Sequence, residues 1–322
     1  MEGTNNTIRF ILLSFIFAFF TIGIFLATQL FLQNATAGYF KINISKNNFP
    51  ASLESSNVTT ITQQAPVQQI TQQIKPTIPK GLQLTAKSAL SIEIENGNEK
   101  ILFKKNEKQQ LPIASLTKLM TTLVVLQQYD LNQEVIITED SLKQEGEQGD
   151  LKVGQTLSVK DLLYITLIES SNRSAFALSE IISTEQFVIL MNQTAKELGL
   201  TNTHFDDSTG LDAKSYSTAE DLVKLSKHLF ENYPLFGEII RLKEFELYLT
   251  DGSLHHTLIN TNKLLGQVRG VVGGKTVWTQ IARGSFMVIQ KEQQNPNYFI
   301  HIILGSEERF EDMQNLMQWT IP

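Results

Sequence analysis

The chain has 322 residues, 42% of them hydrophobic and 19% charged, an ordinary globular balance that excludes a wholly disordered chain and leaves room for a sizeable core. Its 27 basic and 33 acidic residues give a net charge of −6, without the basic excess or stripe that a nucleic-acid partner requires. The absence of cysteine removes disulfides, thiolate zinc sites and a cysteine nucleophile together. The five histidines, His204, His228, His255, His256 and His301, lack paired metal spacing and are expected in structural or surface roles, with adjacent His255 and His256 on opposite faces of a strand.

From Phe10 to Leu32 no charged residue occurs, and Ile, Leu, Phe and Ala dominate. A helix of about 20 such residues crosses a bilayer. Arg9 before the run and Ala35-Thr36-Ala37 after it also fit a cleavable secretory signal, but the apolar core of such signals is only about 7–15 residues long. The expectation is that residues 1–33 form a cytoplasmic tip and an uncleaved transmembrane signal anchor at the cell membrane, with the rest of the chain extracytoplasmic; cleavage would instead release a secreted protein. Residues 34–81 are rich in Gln, Thr and Pro, with Glu54 as the only acid. They lack the large apolar side chains that offset chain ordering, and read as a disordered tether.

An ordered domain is expected over residues 82–322. Ala89 to Glu95 alternates apolar and polar residues, Asn96-Gly97 suits a type I′ turn, and Ile101 to Phe103 returns as the partner strand. Helical spacing follows over Leu116–Gln128, Val159–Ile168, Ser174–Ile182, Glu185–Leu198 and Thr218–Phe230. Ser183 with Gln186 and Ser217 with Glu220 read as capping boxes, and Gly199 as a helix stop. Beyond Glu244 the pattern returns to strands: a hairpin over Glu244–Leu249 and Leu254–Ile259, then Ser285–Gln290 and Tyr298–Leu304. A last helix, Glu307–Trp319, sets Phe310, Met313, Leu316 and Met317 on one face. The implied fold class is α+β: an antiparallel sheet built from both ends of the domain, an inserted helical region, and an active-site cleft at their junction.

Three segments carry the chemical signal. In Ala114-Ser115-Leu116-Thr117-Lys118, which opens an apolar helix, residues 115 and 118 share a face, and the helix N-terminus offers N–H groups where an oxyanion would form. Lys118 acts as a base only when neutral, a state favoured by burial and by a second nearby cation. Ser170-Ser171-Asn172 lies in a break between two helices, where Ser170 can relay a proton and Asn172 can hold a carbonyl or the lysine. Gly273-Gly274-Lys275-Thr276-Val277-Trp278-Thr279 leads into the last strands, and offers the Lys275 charge, the Thr276 hydroxyl and the Trp278 N–H to a substrate.

In this order the segments resemble the serine penicillin-binding enzymes, with their S-x-x-K, S-D-N-like and K-T-G motifs. More narrowly, the chain is similar to the D-alanyl-D-alanine carboxypeptidases of low molecular weight, the S11 peptidases. Ile113 to Thr121, Val153-Gly154 through Tyr164, Met191-Asn192, Leu198-Gly199-Leu200, Thr203-His204-Phe205, Gly210-Leu211, Ser217 to Asp221 and Asn260 to Leu265 also match that family. The resemblance implies a β-lactamase/DD-peptidase-like fold and a penicillin-binding hydrolase acting on peptidoglycan stem peptides, with β-lactams as covalent inhibitors and no metal or organic cofactor. It makes Ser115 the acylated nucleophile and Lys118 its base. Ser170 and Asn172 shuttle the proton and position substrate, and Lys275 with Thr276 binds the terminal carboxylate. The family often carries a C-terminal β-domain and membrane helix; here membrane attachment is expected at the N-terminal segment.

Two departures stand out. Val277 occupies the place of the third-motif glycine, on the strand face shared with Lys275. Overfilling a packed site costs about 1–3 kcal/mol, a loss on the order of tenfold to a hundredfold in rate. Arg173 replaces a usual acid and Arg283 a frequent glycine. The alternatives to an active carboxypeptidase are therefore a catalytically impaired relative that binds wall peptides, and a DD-endopeptidase acting on cross-links. A serine β-lactamase is less well supported, since no carboxylate motif stands between the second and third segments.

Overall fold

A computed structural model describes residues 81–146, 148–292 and 297–320. They belong to the unit Lys75–Pro322; the expected anchor, and the expected tether up to residue 80, lie outside the described residues.

Local chemistry sets the first hairpin. Strand β1 (Ser88–Glu95) turns through Asn96 and Gly97, both at positive φ (50° and 80°) as a type I′ turn requires, into β2 (Asn98–Lys105). A short strand β3 (Leu111–Pro112) precedes a 3-10 turn (Ala114–Leu116), which runs directly into helix α1 (Thr117–Gln128). After β4 (Glu134–Ile136), α2 (Glu139–Leu142) and β5 (Thr156–Ser158) come α3 (Val159–Ile168), α4 (Asn172–Glu180) and α5 (Thr184–Glu197). Strand β6 (Tyr216–Ser217) leads to α6 (Ala219–Asn232) and α7 (Pro234–Ile240). The hairpin β7 (Glu244–Tyr248) and β8 (Leu254–Ile259) is followed by β9 (Val271–Thr279), β10 (Arg283–Lys291), β11 (Tyr298–Ser306) and α8 (Arg309–Thr320). Among the described residues no single helix is long and apolar enough to cross a membrane.

The main sheet runs β2-β1-β11-β10-β9, antiparallel throughout, so the two ends of the domain meet at the β1–β11 seam. One face packs Leu90, Ile92, Met287, Ile300 and Ile302 against Leu119 and Leu123 of α1, Ile165 of α3 and Leu225 of α6. The other packs Phe286, Val288 and Ile303 against Met313, Leu316 and Met317 of α8, the face expected for that helix. Each such fully buried side chain contributes about 1.5–3 kcal/mol. The β7–β8 hairpin forms its own two-stranded sheet.

Two local expectations are corrected. The cap of α6 is Thr218, not Ser217: its side chain accepts from the Asp221 N–H, while the Asp221 carboxylate is held by the Asn202 N–H at 2.8 Å and the Thr203 hydroxyl at 2.9 Å. His255 and His256 do not point to opposite faces. A bulge sets Leu247 opposite His256 and Tyr248 opposite Leu254, breaking the alternation. It leaves the rings in contact, Nδ1 to Nδ1 2.5 Å, with His256 Nε2 3.1 Å from Glu169 Oε2. His301 is structural as expected: buried between Ser91 Oγ (2.9 Å) and Gln290 Oε1 (3.1 Å), its pKa is pushed down to about 3 by burial.

Candidate active site

Ser115 lies in the 3-10 turn just before α1, partly open to solvent. Every residue of α1 from Thr117 to Val125 is buried, so the lysine one turn below the serine is carried into the interior. Lys118 Nζ lies 3.0 Å from Ser115 Oγ, 2.6 Å from Asn172 Oδ1 and 2.6 Å from the Thr209 carbonyl. The Asn172 and Thr209 oxygens only accept, so they take both N–H bonds of a neutral amine. The lone pair is then left for the Ser115 hydroxyl proton. Burial pushes the Lys118 pKa down to about 7, against an opposing pull from the Asp207 carboxylate, which makes the neutral base accessible near pH 7.

The second motif is a clamped helix break. Glu169 ends α3, Ser170 takes φ +65°, and Ser171 caps α4 by accepting from the Ser174 N–H. The Ser171 hydroxyl donates to the Gln148 carbonyl at 2.7 Å, and the Asn172 amide donates to the Glu145 carbonyl at 2.7 Å. Asn172 is thus fixed with its oxygen towards Lys118. Ser170 is half-buried beside it. Ala114, next to the nucleophile, is also left-handed, at φ +42°. Such residues store on the order of 1–3 kcal/mol each, and cluster where geometry serves chemistry.

The third motif lies within strand β9, beside the 3-10 turn. A Cβ on Gly273 would come within 2.5 Å of the Ile240 carbonyl oxygen, and one on Gly274 within 2.2 Å of the Met287 carbonyl oxygen, so both glycines are dictated by close approach. Lys275 is fully buried, donates to the Thr276 carbonyl at 3.3 Å, and has a pKa well below the lysine range through burial and then through Lys118. The second amine expected near Lys118 is therefore present, but the coupling lowers Lys275, while Lys118 is lowered by burial. The Thr276 hydroxyl donates to Thr261 Oγ1 at 2.8 Å. Opposite Met287 and Ser285, Lys275 and Val277 share the helix-facing side; Val277 joins the main core at 6% exposure, while Trp278 is 52% exposed. Arg283 has φ +55°, a conformation that explains why glycine is frequent there. Arg173 is half-buried.

Ser115, Lys118 and Asn172 are thus in direct contact, with Lys275 near enough to feel the Lys118 charge, Ser170 flanking Asn172, and Thr276 turned to Thr261. Sequence reasoning missed the Thr209 carbonyl, Asp207 and Thr261. The available signs were the Asp207-Ser208-Thr209-Gly210 turn composition and the family match over Gly210-Leu211 and Asn260 to Leu265.

Residues 72–308 match the family model for D-alanyl-D-alanine carboxypeptidase. The chain is 36% identical over 208 residues to the D-alanyl-D-alanine carboxypeptidase DacF of Bacillus subtilis, covering 62% of this chain but only 52% of the relative. It is 30% identical over 251 residues to a D-alanyl-D-alanine endopeptidase of Pseudomonas aeruginosa, covering 76% and 80% of the two chains. Penicillin-binding protein D2 of Listeria monocytogenes, solved with ampicillin bound, superposes with a TM-score of 0.63 at 29% identity, over 75% of this chain and 100% of that one. With the three motifs gathered at one helix-sheet junction and the family model spanning most of its length, the chain belongs to the D-alanyl-D-alanine carboxypeptidase (S11) family.

Proposed function

We propose that the chain is a serine-type D-Ala-D-Ala carboxypeptidase that trims peptidoglycan stem peptides through an acyl-enzyme. The observation that carries this reading is the amine of Lys118, buried, 3.0 Å from Ser115 Oγ and with a pKa near 7. Ser115 Oγ attacks the carbonyl of the penultimate D-alanine as its proton passes to Lys118 Nζ. The tetrahedral intermediate collapses, and the leaving amine of the terminal D-alanine takes that proton back through Ser170. Water then cleaves the ester, returning the hydroxyl to Ser115 and freeing the shortened peptide. The terminal carboxylate is met by Lys275 and Thr276, and Trp278, in the same strand, offers its backbone N–H. β-Lactams acylate the same hydroxyl.

Val277 supports activity over impairment, because its methyl groups are packed in the main core. A DD-endopeptidase is the second reading, favoured by the Pseudomonas aeruginosa relative, 80% of whose length is matched. The apolar run Phe10–Leu32 supports an N-terminal membrane anchor with the catalytic domain extracytoplasmic, where the wall substrate lies. Release of D-alanine from an N-acylated peptide ending in D-Ala-D-Ala, lost in Ser115→Ala, is the expected result. Cleavage of cross-linked dimers without D-alanine release would favour the endopeptidase, and neither product would overturn both.

A further inference from the structure

Between Phe205 and Ser215 the chain forms a loop packed against the domain, with Phe205, Ser208, Thr209 and Ser215 buried, closed at its stem by paired backbone bonds between His204 and Tyr216 at 2.9 and 3.0 Å. The same stem continues into β6, which pairs with β3 immediately before the nucleophile turn. Within this loop one half-buried carboxylate organises the backbone. Asp207 accepts from the N–H groups of Gly210 (2.9 and 3.0 Å) and Leu211 (2.9 Å), and from the hydroxyl of Thr209.

The loop so built touches the reacting pair at three points. The Thr209 carbonyl takes one N–H of Lys118 at 2.6 Å, and the Ser208 carbonyl accepts from Thr121, one turn further along α1, at 2.5 Å. Gly210, at φ +83°, packs its backbone so close to the nucleophile turn that a Cβ there would lie 1.9 Å from the Ala114 carbonyl oxygen. We infer that Asp207 is a positioning residue for acylation: it shapes the turn that holds Ser115 against Lys118, and it sets the charge facing the Lys118 amine. This inference rests on the acyl-enzyme reading above.

The titratable groups facing Lys118 are the Asp207 carboxylate from the loop and the Lys275 amine from β9. The neighbouring acids are turned elsewhere, Asp206 towards His204 at 3.8 Å and Asp212 towards Lys214 at 3.9 Å. Asp207→Asn keeps an acceptor oxygen for the turn but removes the charge. The amine then loses its proton at lower pH.

The test is the rate of labelling of the full chain by a fluorescent penicillin from pH 5 to 10. For Asp207→Asn the midpoint of the rising limb is expected on the order of one pH unit below wild type, with a reduced plateau. Asp207→Glu, which keeps the charge on a longer arm, is expected to hold the wild-type midpoint and to lower only the plateau. A purely structural role would lower plateaus and leave both midpoints in place. Superimposable midpoints in a labelled wild type and both folded variants overturn the inference, and so does a Glu variant whose midpoint falls. If the wild-type chain is unlabelled at every pH, the acyl-enzyme reading fails and takes this inference with it.

Discussion

Lys118 is the residue on which the chemistry turns. Its pKa near 7 arises from burial, so the neutral, proton-accepting form grows as pH rises through that value. Acylation is therefore expected to climb with pH across about 7, measured as single-turnover penicillin labelling; a flat profile from pH 5 to 9 would contradict it. The same shift costs stability: between the folded pKa near 7 and an unfolded lysine pKa of about 10.4 the unfolded chain binds a proton that the folded chain does not, and below 7 the cost is full. Folded stability should thus rise between pH 7 and the normal lysine range. Lys118→Met removes both the base and the buried amine, and is expected to abolish labelling while raising stability by about 1–3 kcal/mol in denaturant melts. Val277→Gly tests the other unusual residue. Because its methyl groups fill the core, the variant should lose about 1–3 kcal/mol of stability while labelling stays within about threefold of wild type; a gain of tenfold or more would show that valine crowds the cleft.

Among the elements, those with local causes were legible in the sequence. The β1–β2 hairpin follows from alternation and Asn96-Gly97, and α3 spans Val159–Ile168, the range its spacing predicts. The nucleophile helix and the second-motif break also follow from their motifs, whereas the glycine-rich segment, expected to lead into the last strands, lies within strand β9 itself. What escaped depends on contacts between distant segments. A backbone carbonyl such as that of Thr209 leaves no mark in the side-chain pattern, although it is one of three partners of Lys118. The shift of the α6 cap to Thr218 depends on Asn202 and Thr203 holding Asp221. The bulge that brings His255 against His256 has no glycine or proline to announce it. Gly210 is where an element-scale prediction is sharpest. Gly210→Ala forces a methyl group towards the Ala114 carbonyl at a left-handed residue. It is expected to lower stability by about 1–3 kcal/mol and to slow labelling at least tenfold; wild-type rates would show that the turn does not seat the serine.

The site is an assembly of the whole domain. Ser115 and Lys118 come from the segment after the first hairpin, Asn172 from the helical insertion, and Lys275 from β9, one of three sheet strands supplied by the far end of the chain. Neither half of the sheet carries the machinery alone, so the amine is buried, and its proton loosened, only when both halves have packed. The measurement that bears most directly on this account is the intact mass of the purified chain after incubation with benzylpenicillin, followed by peptide mapping. One equivalent of penicilloyl adduct on Ser115, absent from Ser115→Ala and from Lys118→Met, is the predicted result. A chain that stays unmodified, or an adduct on any other residue, would contradict it.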